Sequence, residues 1–118
     1  MFPKYVKIGS YYFQIQVVSE EVLGDNNGTI GFHDFCIELY EDLPPIMMIE
    51  TLLHECLHGV LENMALEEED EELLVETLSR AMVAGILDNP VLTRLIVNTL
   101  LAEKKKCEKP VDKPRSRA

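Results

Sequence analysis

Thr51-Leu52-Leu53-His54-Glu55-Cys56-Leu57-His58-Gly59-Val60-Leu61 is the stretch on which the reading of this chain turns. It sets two imidazoles four residues apart, with a carboxylate directly after the first. On an α-helix, residues i and i+4 stack on one face, so His54 and His58 can reach a single metal ion. Glu55 points to a neighbouring face, where it can reach a water beside that ion. The surroundings predict the helix. Asp42 is a candidate cap, and Pro44-Pro45 suit a first turn, where the missing N–H is not needed. No Pro or Gly follows until Gly59.

From Ile46 onward the apolar residues Ile49, Leu52, Leu53, Cys56, Leu57, Val60, Leu61 and Met64 keep helical spacing. A helix over about 45–64 is expected, with this stripe in the core. Glu50, His54, His58 and Glu62 fall on a different line, at the flank of the stripe, where a cleft can form. A plain amphipathic helix with two incidental histidines is the alternative, and it predicts no metal.

N-terminal to this helix, Tyr5–Ile8 and Tyr12–Val18 alternate and are rich in β-branched and aromatic residues, with Gly9-Ser10 between them. They read as a hairpin. After the turn cluster Gly24-Asp25-Asn26-Asn27-Gly28, two further strands are expected at Thr29–Phe32 and Phe35–Tyr40, around His33-Asp34. Beyond the helix, Glu67–Glu72 is a run of acids, a charge that favours a helix N-terminus. A second helix is expected over about 69–87 with Leu74, Leu78, Ala81, Met82 and Gly85 as its apolar line. Asp88-Asn89-Pro90 stops it, and a third follows over about 91–105. The order β-β-β-β-α-α-α predicts an α+β domain: a small antiparallel sheet packed on the His54 helix, then two more helices.

A chain of 118 residues with 47% hydrophobic content supports one domain, expected over 1–106. The net charge of −10 is uneven, with residues 1–102 carrying −14 and the remainder +4. An acidic body argues against a duplex-binding surface. The basic, Pro-containing segment 107–118 is expected to be a disordered tail. No apolar run approaches the roughly 18 residues that would span a bilayer, and a cleavable leader is not expected at the N-terminus, because Tyr5–Val18 alternates and contains Lys7, Gln14 and Gln16. A soluble, cytoplasmic protein is the expectation. Three cysteines, Cys36, Cys56 and Cys107, show no C-x-x-C spacing and indicate neither a disulfide framework nor a thiolate metal site.

Two histidines alone hold zinc weakly, because a catalytic zinc takes three protein ligands and leaves one position open. A third ligand further along the same helix fails, since Leu61 and Met64 stand there. A glutamate on the next helix is the other solution. Glu76 lies 18 residues after His58, near the spacing for a chain that turns back antiparallel. Glu72, one turn earlier, lies closer to the expected apolar line and is the rival.

Thr51–His58, together with Val75-Glu76-Thr77-Leu78-Ser79, resembles the small gluzincin-type zincins, specifically the ImmA/IrrE-like metallopeptidase domains of phages and bacteria. The similar segment spans about 29–87. The resemblance implies a Zn2+-dependent peptidase acting on a polypeptide in a bacterial or phage-infected cytoplasm. In it His54 and His58 are ligands, Glu76 is favoured as the third, and Glu55 is the general base. The chain departs from a thermolysin-like layout in having Arg80 where a supporting acid would stand four residues after the ligand glutamate. His33 is a candidate oxyanion donor, as are Tyr40, Tyr11 and Tyr12; His-Asp equally suits a tight turn. An edge strand within Thr29–Tyr40 could hold an extended peptide by strand addition. A non-catalytic metal-binding or interaction module of the same fold is the alternative. The third helix, with Leu95, Ile96, Leu100 and Leu101, would either complete the core or pair two copies in a homodimer.

Overall fold

The structure, a computed structural model, describes residues 2–108. Strands β1 (Tyr5–Ile8) and β2 (Tyr11–Val18) form the expected hairpin, turned through Gly9 at a φ of 62°. A four-residue helix α1 (Glu20–Leu23) follows, then β3 (Gly28–Gly31) and β4 (Cys36–Tyr40). Three longer helices complete the order: α2 (Pro45–Leu61), α3 (Glu68–Asp88) and α4 (Pro90–Glu108). The fold is α+β, and among the described residues no helix is long and apolar enough to cross a membrane.

The sheet is mixed, which corrects the antiparallel expectation. Its order is β1-β2-β4-β3, with β2 and β4 parallel in a register from Gln14↔Cys36 to Val18↔Tyr40. Parallel pairing needs a crossover of a dozen or more residues, and α1 with β3 supplies it. The β3–β4 hairpin then folds back so that β3 becomes the edge. Strand patterns specify which face of each strand is buried and do not specify its neighbour, so this crossover was invisible to them.

Phe13, Ile37, Leu39 and Met48 form the buried core, and Ile37 and Leu39 on the inner strand β4 have 0% exposure. Ile8, Ile30, Leu52 and Cys56 pack against it from the sheet and α2. Two glycines set how near the helix comes. A Cβ on Gly28 would lie 2.7 Å from Thr51 Cγ2 and 3.0 Å from the Glu38 carbonyl oxygen. One on Gly59 would lie 2.9 Å from Ile8 Cδ1. A side chain at Gly28 would press on the strand backbone and on α2, whereas one at Gly59 would first displace the ends of the Ile8 and Ile30 side chains.

The buried faces of the helices differ from the expected ones. On α2 the buried residues are Met48 and Glu55, whereas Ile46, Ile49, Val60 and the following Met64 are exposed. On α3 they are Val75, Ser79 and Val83, whereas Leu74, Leu78 and Met82 are exposed. Both helices carry apolar residues around much of their circumference, so periodicity alone left their rotation open. Asp42 does not cap α2, which has Pro44 at the N-cap and Pro45 in its first turn; Asp42 accepts a hydrogen bond from Tyr40 instead.

The described residues fall into two compact units, one ending at Ala84 and the other starting at Gly85. The second contains α4, which has no buried residue. Cys107, expected at the start of a disordered tail, belongs to this helix. The rest of the expected tail, 109–118, lies outside the described residues.

Candidate metal centre

The centre is built where α2 passes between the sheet edge and the first turns of α3. His54 and His58 share one face of α2, with ring centroids 5.0 Å apart. Glu72 of α3 spans both rings: Oε1 lies 3.1 Å from His54 Nε2 and Oε2 lies 3.0 Å from His58 Nε2. One ligand atom from each of His54, His58 and Glu72 falls within 4.8 Å of the others. Four donors around a zinc at about 2.0–2.1 Å would be separated from one another by roughly 3.3 Å. The two imidazole–carboxylate separations, each to a different oxygen of Glu72, are within a few tenths of an ångström of that, so two nitrogens and a carboxylate lie close enough to close on one ion.

The structure therefore brings Glu72, not Glu76, to the histidine pair. Glu76 is on the same helix one turn later, and its carboxylate accepts from Arg80 Nη2 at 2.9 Å. It lines a cavity of about 240 Å³ together with His54, Glu55, Thr51 and Arg80. A larger cavity of about 650 Å³ shares His54 and Glu55 with it and is lined also by His58, Glu72 and the edge-strand residues Thr29 and Ile30.

Glu55 is 7% exposed, borders both cavities, and has no hydrogen-bond or ion-pair partner among the described residues. Burial pushes its carboxyl up to about 7; His58 opposes that rise and the charge of Glu72 adds to it. For His58, burial works against the charged ring, but the Glu71 hydrogen bond and the Glu72, Glu55 and Glu71 charges outweigh it and raise the pKa above its ordinary value. A carboxylate buried without a donor is costly unless it serves something else in the cavity.

His33 lies exposed in the β3–β4 turn and lines neither cavity. Tyr11, stacked on Phe35, and the exposed Tyr12 are likewise away from the centre, as is Tyr40. The expected oxyanion donors are thus not brought to the histidine pair. Glu71 is the contact that sequence reasoning missed: its Oε2 lies 2.7 Å from His58 Nδ1. It was hidden in the acidic run, where every residue reads as charge for a helix N-terminus. The signal was the four-residue spacing of Glu71, Val75, Ser79 and Val83, which is the buried line of α3.

No protein-family model, curated protein or solved structure matches the chain.

Proposed function

We propose that the protein is a zinc-dependent metallopeptidase that hydrolyses a peptide bond in a polypeptide. The observation that carries this reading is the conjunction of the His54–His58–Glu72 donor set with Glu55, buried, unpartnered and bordering the same cavities. A pure metal-storage or structural site needs no such carboxylate. Reading Glu72 as the ligand also restores the layout of the zincins that the sequence resembles. The residue four positions after Glu72 is Glu76, so an acid stands where the supporting acid is expected, and the departure at Arg80 no longer arises.

His54, His58 and Glu72 would hold the ion. A zinc bound there supplies Lewis-acid polarisation of a carbonyl and lowers the pKa of a water towards about 7. Glu55 does the proton work. Buried at the edge of the site without a donor of its own, its carboxylate can take a proton from water and return it to the leaving amine nitrogen. The β3 edge faces this cavity through Thr29 and Ile30, and its unpaired backbone groups suit an extended peptide laid alongside as an added strand.

The test is Glu55→Gln in protein purified without a histidine tag, assayed on a library of unstructured peptides. The variant should keep its metal and lose at least about 100-fold in cleavage rate, the usual scale for removing a general base. Cleavage at the wild-type rate would refute the peptidase assignment. Metal bound by both proteins with no cleavage by either would move the reading to a non-catalytic metal-binding module.

A further inference from the structure

Resting on this metal-centre reading, we propose that Glu71 is a positioning residue, holding His58 through Nδ1 so that Nε2 is the nitrogen presented to the ion. Both ring nitrogens of His58 are engaged by adjacent carboxylates from a single turn of α3: Glu71 at Nδ1 and Glu72 at Nε2. The two nitrogens of one imidazole point in divergent directions, so they cannot serve the same ion. Only Nε2 shares a carboxylate with His54, and that makes it the ligating atom. Nδ1 must then carry the proton, and it donates to Glu71 across 2.7 Å, the short distance of a charge-assisted bond.

This bond is better sheltered than an ordinary surface pair. The side chains of His58 and Glu71 are 18% and 21% exposed, whereas Glu72 is 51% exposed. Glu71 also starts the line that continues through Val75 and Ser79, which are essentially fully buried, so the backbone that carries it is fixed by packing. The neighbouring Glu69 and Asp70 belong to the same acidic run but are exposed. Carboxylates that accept from the free N–H of a ligating histidine fix its tautomer and ring orientation and raise its basicity. His54 lacks an equivalent: among the described residues its only polar side-chain partner is Glu72.

The experiment is zinc affinity by competition with a chromophoric chelator, for tag-free wild type, Glu71→Ala, Glu71→Gln and Glu69→Ala. It is paired with long-range 1H–15N spectra of the His58 ring in the zinc-loaded proteins. Glu71→Ala should bind zinc about 10–100-fold more weakly. Glu71→Gln, whose amide oxygen still accepts, should recover part of that loss. Glu69→Ala removes the same charge from an exposed position and should leave the affinity unchanged. In wild type the spectra should show zinc on Nε2 and a slowly exchanging proton on Nδ1, and that proton should exchange fast in Glu71→Ala. Circular dichroism of the metal-free variants separates a positioning effect from loss of α3. Equal affinities for Glu71→Ala and Glu69→Ala, or zinc found on Nδ1, would overturn the assignment while leaving the metal centre standing. A wild type that takes up no zinc would remove both.

Discussion

Helices α2 and α3 meet at the same site but are held there by different forces. α2 lies on the sheet, admitted closely by Gly28 and Gly59, with Met48 in the core and Leu52 and Cys56 packed against it. α3 buries only Val75, Ser79 and Val83, and its first turns reach the centre through Glu71 and Glu72 on the two histidines. Packing does not respond to protonation, whereas carboxylate–imidazole contacts do, and they respond to a cation placed between them. The histidine pair is thus carried on a helix packed along the sheet, whereas Glu72, the proposed third ligand, arrives on a helix held by a short packed line and by its contacts to the histidines.

This contrast can be broken from the packed side first. Leu39→Ala removes a side chain with no exposure from the inner strand and should lower the unfolding free energy by roughly 2–5 kcal/mol. Denaturant titrations should give the same loss with and without zinc. A loss that zinc abolishes would mean that the sheet is not the independent support described above.

Glu55→Gln should act in the opposite direction in metal-free protein. The folded-state pKa of about 7 lies above the ordinary 4.5, so metal-free folding favours the protonated acid. Its stabilising contribution is fully present below about pH 4.5 and is lost as the pH rises through about 7. The glutamine variant should therefore be the more stable protein above pH 7, by at most roughly 3 kcal/mol. The gap should close towards pH 4.5, which denaturation at several pH values will show. A gap independent of pH would contradict a buried carboxylate without a partner.

A smaller and more local effect is expected on α3. Val75→Ala empties a fully buried position and should cost about 2 kcal/mol. Hydrogen exchange should speed up in the first half of α3 and stay slow in β2 and β4, and zinc should restore the α3 protection. Uniform acceleration through the sheet would show that the two helices are one cooperative unit after all.

Much of this was legible in the sequence where local chemistry decides. Pro45 opens α2, alternation marks β1 and β2, and the spacing of His54 and His58 places both rings on one face. The parallel β2–β4 pair was not legible, because a crossover is a long-range choice that leaves no mark on either strand. The rotation of α3 was hidden by its composition. Leu74, Leu78 and Met82 look like a core line, yet the smaller Val75, Ser79 and Val83 are the residues that pack. That rotation is what brings Glu71 and Glu72 to the histidines, while Glu76 pairs along its own helix with Arg80. Each of the three acids sits on a plausible helical face, and only the packed face selects among them.

The central claim is that His54, His58 and Glu72 form one metal site. It is tested most directly by the metal content of tag-free protein, comparing wild type with His58→Ala, Glu72→Ala and Glu76→Ala. The account predicts one zinc per chain in wild type and in Glu76→Ala, and none in the other two. No metal in wild type after zinc is supplied, or metal lost in Glu76→Ala and kept in Glu72→Ala, would contradict it.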